Sequence, residues 1–127
     1  SLNVARAPQN PYNESRPAFT GRRRCTMFLT ILTGRVNPEN WSILETSYAT
    51  AIKHCPDGLV QSFLIQSHHE PNLWKIITIW QSQEDYESAE AQRLTSPCVQ
   101  MFCDAGSTPQ RTRYRSVRRY TRITALT

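Results

Sequence analysis

The chain has 127 residues and a formal net charge of +5, with 39% hydrophobic and 20% charged residues. A single domain of this length buries enough apolar surface to fold without metal or disulfide staples. The composition excludes collagen-like, coiled-coil and wholly disordered proteins. No apolar run approaches the ~20 residues of a membrane span, and residues 1–24 lack the apolar region of a secretory signal. We therefore expect a cytoplasmic protein with no membrane partner.

The charge is distributed unevenly along the chain. Residues 1–24 carry +4, residues 25–110 carry −5, and residues 111–127 carry +6. We expect a basic N-terminal arm at 1–24, a folded domain at 25–117 and a basic tail at 118–127. The two arms are expected either to contact acidic patches of the domain or of a second copy, or to bind nucleic acid or another polyanion.

The first half of the domain reads as a strand, a helix and a second strand. Branched and aromatic residues from Thr26 to Val36 predict the first strand. Asn37 and Pro38 mark a helix start, and apolar residues at steps of three and four predict an amphipathic helix ending at Pro56-Asp57-Gly58. The second strand is predicted from Leu59 to His68.

The second half begins with a turn at His69–Asn72 and a third strand from Leu73 to Trp80. Ser82 resembles a helix cap, and the helix is predicted from about Gln83 to Leu94, interrupted near Ser96-Pro97 and resumed to Cys103. Arginines alternating with polar residues from Arg111 to Val117 predict a half-exposed fourth strand.

The predicted order β-α-β-β-α-β is that of an α+β, ferredoxin-like fold, with an antiparallel sheet and its helices on one face. The first and third strands are apolar on both faces. An antiparallel sheet covered on one side normally presents a polar second face to water. We therefore expect a homodimer in which a second copy covers that apolar face.

The metal-ligating residue types form no recognisable site. Cys25, Cys55, Cys98 and Cys103 make no C-x-x-C pair and have no histidine at ligand spacing, so no metal site is predicted and the thiols are expected to be reduced. His68 and His69 are adjacent at a strand end and point to opposite sides, so we expect them to be exposed.

Four short motifs occur in a characteristic order. They are Arg35-Val36-Asn37-Pro38, Pro56-Asp57-Gly58, Trp80-Gln81-Ser82-Gln83-Glu84, and Leu94-Thr95-Ser96-Pro97 followed by Phe102. Their order and spacing resemble the antibiotic biosynthesis monooxygenase (ABM) domain over about residues 26–117. The resemblance implies a dimeric α/β barrel with a pocket between the sheet and the helices of each protomer.

The resemblance also implies a cofactor-independent monooxygenase that acts on a phenolic or quinol-like aromatic small molecule. Such an enzyme needs no metal or flavin, because the deprotonated substrate itself passes an electron to O2. The protein supplies a dry pocket, a proton acceptor and donors for the developing oxyanion.

The resemblance suggests site residues one by one. Trp80 and Tyr86 match a tryptophan and a tyrosine that line the pocket of the polyketide oxygenases, and we expect them to be catalytic. From their residue types and positions, and not from the resemblance, we expect Tyr48 and Arg93 to bind substrate, Tyr48 as a hydrogen-bond donor and Arg93 through its charge.

Two further expected substrate-binding residues, Ile76 and Leu32, depart from the family pattern. Ile76 stands where the oxygenases have an asparagine. Leu32 stands where haem-degrading members have an asparagine, and their histidine falls at Ala89 or Arg93, so haem degradation is disfavoured.

Two alternative functions remain from the sequence. The chain is also compatible with a non-catalytic dimeric binding or regulatory module. A nucleic-acid or polyanion-binding module would use the Arg-rich arms, since the third strand lacks glycine and is too aliphatic for a base-stacking face.

Overall fold

The computed structural model describes residues 26–122, and Met27–Arg115 forms one compact unit. The expected arm at 1–24 and the last residues of the expected tail, 123–127, lie outside the described residues. Four strands and three helices follow one another along the unit: β1 (Phe28–Arg35), α1 (Trp41–Ala51), β2 (Leu59–Gln66), β3 (Leu73–Trp80), α2 (Gln83–Ala91), α3 (Ser96–Asp104) and β4 (Gln110–Arg115).

The strands form one antiparallel sheet in the order β2-β3-β1-β4. β1 and β3 lie at its centre, with Phe28 opposite Trp80 and Leu32 opposite Ile76. β4 is an edge strand, on which Arg111 lies opposite Leu32. This topology confirms the predicted α+β, ferredoxin-like class, with the second helical segment divided into α2 and α3.

Arg93 lies in the turn that divides these two helices. The second helix was expected to reach Leu94, but it ends at Ala91. Arg93 adopts the left-handed conformation with φ 63°. Its N–H donates to the carbonyl of Glu90 at 3.0 Å, and the N–H of Leu94 donates to the carbonyl of Ala89 at 2.8 Å. This pair of bonds is a Schellman motif, which satisfies the last carbonyls of α2.

The other element boundaries differ modestly from the prediction. A short 3-10 turn, Pro38–Asn40, precedes α1, and the side chain of Asn37 makes no capping hydrogen bond. α1 ends at Ala51 rather than near Pro56, and the chain continues in a tighter turn in which the N–H groups of Lys53 and His54 donate to the carbonyls of Thr50 and Ala51, each at 3.2 Å. The fourth strand, expected at Arg111–Val117, is β4 and ends at Arg115.

The helices cover one face of the sheet and enclose the core. Alternate residues of β1 and β3 point into it, which confirms the predicted strand periodicity. The core includes Phe28, Leu32, Trp74, Ile76 and Trp80 from the sheet and Leu44, Tyr86, Met101 and Phe102 from the helices.

The opposite face of the sheet is also apolar, as predicted. Its central side chains are only half-buried, and the outer Phe63 and Tyr114 are 43% and 50% exposed. Within residues 26–122, no helix packs over this side. We call it the free face, and it comprises Leu29, Ile31, Phe63, Ile65, Ile77, Ile79 and Tyr114.

Gly34 is the point of closest approach between β1 and the segment that follows α2. A Cβ atom at this position would lie 2.6 Å from Ser107 Oγ and 2.8 Å from a ring carbon of Phe102. Phe102 is fully buried and Ser107 nearly so, so neither side chain has room to withdraw. The packing of α3 against the sheet therefore requires glycine here.

We expect Gly34→Ala to lower the free energy of unfolding by about 1–3 kcal/mol, because the added methyl group overpacks a filled core. Urea denaturation measures the change. Thr46→Ala, at an exposed position of α1, is the control and should shift stability by no more than about 0.5 kcal/mol. Equal unfolding midpoints for the Gly34→Ala variant and the parent would contradict the close approach.

Candidate functional site

A cavity of about 60 Å³ lies between the helix-covered face of the sheet and the chain around α1 and the start of α3. Its sheet wall consists of Thr30 and Leu32 from β1 and Ile76, Thr78 and Trp80 from β3. These are alternate residues of the two central strands. The periodicity that builds the core therefore also builds this wall.

The opposite wall comes from the helices and the turns beside them. Tyr48 and Ala51 contribute from α1, and Pro97 and Cys98 from the first turn of α3. Exposed residues that also line the cavity mark its opening to solvent: Ile52, His54, Cys55, Leu94 and Pro97. A mostly apolar recess with a few polar groups is the usual form of a small-molecule site.

Trp80 is held by a hydrogen bond across the two central strands. Its side chain is 2% exposed, and the indole Nε1 donates to Thr30 Oγ1 at 3.3 Å. The ring of Tyr86 meets the indole edge-on, with centroids 5.5 Å apart. Both contacts fix the orientation of the indole, so the cavity wall at Trp80 is preorganised.

Tyr48 spans the cavity from α1 to the sheet. Its hydroxyl and the Ser62 hydroxyl of β2 are 2.9 Å apart and hydrogen-bonded. Both residues line the cavity. A bound molecule with a hydroxyl or carbonyl group can exchange hydrogen bonds with this pair.

Arg111 brings a positive charge to the cavity from the edge strand β4. Its side chain is only 18% exposed. Nη1 donates to the two carboxylate oxygens of Glu90 at 3.1 and 3.3 Å and to the Tyr86 hydroxyl at 3.5 Å. Nη2 donates to the Thr95 carbonyl at 3.5 Å. The guanidinium is thus held in place from α2 and from the turn that follows it.

Glu90 is the counter-charge of this arrangement. The Thr95 hydroxyl donates to Glu90 Oε1 at 2.6 Å and lowers the pKa of the carboxyl group. Burial opposes this effect, and the charge of Arg111 lowers the pKa further. Glu90 therefore stays ionised and keeps Arg111 oriented.

The structure brings four of the six predicted site residues to the cavity. Trp80, Tyr48, Ile76 and Leu32 line it. Tyr86 lies behind Trp80, 3% exposed and in contact with Phe28 as well. Arg93 is exposed, in the turn after α2, and is not among the lining residues.

Arg111 and Cys98 are among the lining residues that were not singled out as site residues from the sequence. Arg111 was read as one of three alternating arginines on a half-exposed strand, and the useful signal was that this alternation places all three on one face of β4. Cys98 was read as one of four unpaired thiols. Burial raises the pKa of the Cys98 thiol, and the charge of Arg111 opposes that shift.

The described residues show neither a metal cluster nor a membrane helix. Across residues 26–122, no group of three or more His, Cys, Asp or Glu side chains is placed to hold a metal ion. No helix in the same range is long and apolar enough to cross a membrane. His68 and His69 are exposed, as predicted.

Many solved structures are similar to this chain, and three of them illustrate the likeness. A candidate antibiotic biosynthesis monooxygenase from Deinococcus radiodurans aligns with a TM-score of 0.61 at 12% identity, over 76% of this chain and 99% of the other. SnoaB, a cofactor-independent oxygenase from Streptomyces nogalater, aligns with a TM-score of 0.53 at 17% identity, over 81% and 100% of the two chains. A conserved protein from Methanosarcina mazei Go1 gives 0.56 at 10% identity, over 69% and 90%.

The chain has the ferredoxin-like fold of the antibiotic biosynthesis monooxygenases. No family model and no curated protein matches its sequence. At such low identities the structural likeness establishes the fold, and the chemistry has to be argued from the cavity.

Glu90→Gln should destabilise the protein in a pH-dependent way. The pKa of Glu90 is lower in the folded protein than its ordinary value of about 4.5. The ionised form therefore stabilises the fold above about pH 5, and this contribution is lost as pH falls through the folded-state pKa. We expect the stability difference between the parent and Glu90→Gln, measured by urea denaturation, to shrink below about pH 4.

Glu87→Gln controls for the loss of one negative charge, because Glu87 lies exposed on the same helix. A pH dependence shared equally by the two variants would show that net charge, rather than the Arg111 contact, is responsible.

Proposed function

We propose that the protein is an ABM-type, cofactor-independent monooxygenase that acts on a phenolic or quinol-like aromatic molecule bound in the cavity. The observation that carries this proposal is an apolar cavity with an indole, a tyrosine–serine hydroxyl pair and a guanidinium in its walls. The fold shared with SnoaB, a cofactor-independent oxygenase, supports it. The domain at 25–117 would carry the activity, with the basic arms as additions.

The cavity suits a flat aromatic ring because its opposing walls are largely hydrocarbon. Leu32 and Ile76 face the space from the sheet, and Ala51 and Pro97 from the helical side. Apolar walls exclude water, which strengthens the few polar contacts that remain inside. The Tyr48–Ser62 hydroxyl pair would orient an oxygen substituent of the ring.

The chemistry requires the ionised form of the substrate. A phenolate or quinolate passes one electron to O2, the resulting radicals combine to form a carbon–oxygen bond, and loss of water leaves a carbonyl group. One atom of O2 is then retained in the product and the other leaves as water. The protein has to favour the ionised ring and the developing oxyanion.

Arg111 is the group best placed to stabilise that negative charge. Its guanidinium lines the cavity, and Glu90 and the Thr95 carbonyl hold it in one position. A preoriented cation in an apolar site stabilises an anion without reorganisation during the reaction. Arg111 thus takes the role that the sequence suggested for Arg93.

His54 would accept the substrate proton. Its side chain lines the cavity and is exposed to solvent, and neutral imidazole accepts a proton. A proton taken at the opening passes directly to bulk water. Trp80 would contact the ring, while Tyr86 would position both Trp80 and Arg111 from behind.

A homodimer would complete the molecule by covering the free face. A sheet face built from Leu29, Ile31, Ile77 and Ile79 at its centre favours association with an apolar surface of similar shape. A two-fold axis places the same face of a second copy against it. The cavity lies on the other side of the sheet and stays open to substrate.

Light scattering should give a solution mass of about twice the 14.6-kDa chain mass, at low and at high salt, because apolar burial is not screened by ions. Ile77→Lys, at the centre of the free face, should halve that mass. Ala49→Lys, at an exposed position of α1, adds the same charge elsewhere and should leave the mass unchanged. A monomeric parent protein would overturn the dimer.

Oxygen uptake with a quinol substrate tests the site. Trp80→Phe removes the indole N–H and Tyr86→Phe removes the hydroxyl next to Arg111, and each should lower kcat roughly ten-fold, the effect of one lost hydrogen bond. KM should change less, because neither substitution opens the apolar walls. Tyr120→Phe, at a 77% exposed tyrosine that does not line the cavity, is the matched control.

Unchanged uptake in both variants would remove these residues from the mechanism. Binding of the quinol without any oxygen uptake would overturn the oxygenase and favour a non-catalytic binding module.

A further inference from the structure

Two cysteines are among the residues that line the same apolar cavity. Cys55 lies just after α1, and Cys98 lies in the first turn of α3. Neither forms a disulfide. The cavity therefore places nucleophilic sulfur beside any ring that enters it.

The two thiols differ in how readily they can react. Cys98 is partly buried, and burial raises the pKa of its thiol, so its sulfur stays protonated and poorly nucleophilic. Cys55 is exposed at the opening, and its sulfur lies 3.4 Å from the carbonyl of Ile52. Its exposure leaves the sulfur accessible to a soft electrophile that enters the cavity. Cys55 is thus the reactive thiol of the pair.

We propose that Cys55 is a covalent modification site for apolar quinones and related conjugated carbonyl compounds that the cavity binds. Leu94 and Pro97 at the cavity wall would hold the ring, and the Cys55 sulfur at the opening would attack it. The proposal requires binding of the ring alone and does not depend on oxygenase activity.

The reaction is a conjugate addition, and it balances without a further reactant. The Cys55 sulfur forms a bond to a ring carbon of the quinone. The electron pair of the carbon–carbon double bond moves onto the conjugated carbonyl oxygen, which takes the thiol proton. The ring carbon that gained sulfur then loses its hydrogen as a proton, and the second carbonyl oxygen takes up a proton, so that the product is a hydroquinone thioether. The two-electron reduction of the ring is matched by oxidation at the carbon that gains sulfur.

The proximity of a bound ring to Cys55 is what would make quinones react with this cysteine in preference to others. Holding the ring beside the sulfur raises its local concentration, which accelerates the addition relative to a thiol that meets the same ring only in solution. Cys103 supplies that comparison within the same chain, because it is exposed but does not line the cavity.

The test uses the full-length chain with Cys25→Ala, treated anaerobically with 1,4-naphthoquinone or with iodoacetamide, and follows modification of each cysteine by peptide mass spectrometry. We expect naphthoquinone to modify Cys55 at least about ten-fold faster than Cys103, since only Cys55 benefits from ring binding. Iodoacetamide has no ring to bind and should modify the two at rates within about three-fold of each other.

A competing ligand separates ring binding from intrinsic thiol reactivity. Excess 2-naphthol should slow the naphthoquinone reaction of Cys55 and leave that of Cys103 unchanged. The same Cys55/Cys103 rate ratio for both reagents, or faster modification of Cys98 than of Cys55, would overturn the proposal. The modification assay is anaerobic, so its result does not depend on oxygenase activity. If naphthoquinone modifies Cys55 selectively but the protein shows no oxygen uptake with a quinol, the oxygenase is refuted and the Cys55 modification site is retained.

Discussion

The antiparallel pairing of β1 with β3 is the contact on which the rest of the structure depends. Both strands are apolar on both faces, so their pairing creates two surfaces that need to leave water. The helices cover only one of these two apolar surfaces. Trp80, Ile76 and Leu32 close the core and at the same time form a wall of the cavity. The core and the candidate site are therefore built by the same residues.

The edge strand β4 adds the charge that the central strands lack. Its register places Arg111 opposite Leu32, on the helix-covered face. An arginine there would be costly without a partner, because its charge is largely withdrawn from water. Glu90 supplies that partner, and Thr95 fixes Glu90 in turn. The turn that ends α2 at Arg93 is what brings Thr95 to this position, so a backbone motif with no chemistry of its own supports the charged group of the site.

The sequence predicted the features that follow from the periodicity of apolar residues. It did not predict the features that follow from the burial of individual side chains or from the pairing register of the strands. The alternation of residues along β1 and β3 was sufficient to predict the sheet, the two faces of the sheet and the position of Trp80 on one of them. Tyr86 falls on the inner side of α2, as a helical repeat predicts, but only the packing of Phe28 and Trp80 shows that it lies behind the cavity wall. The same limitation of local patterns explains why Arg93 was predicted as the cationic residue of the site, whereas Arg111 is the arginine that lines the cavity. The register of β4 against β1 is a long-range pairing, and local patterns contain no information about it.

The two faces of the sheet differ in the function proposed for them, which is association for the free face and ligand binding for the helix-covered face. Association through the free face would bury its side chains against a second copy, while the cavity opens beside His54, Cys55 and Leu94 on the helix-covered side. A substitution at Ile77 would therefore act on the proposed association and leave the cavity intact, because side chains of β3 that face opposite sides share only the backbone. This separation allows the dimer, the oxygenase and the thiol site to be accepted or refuted independently.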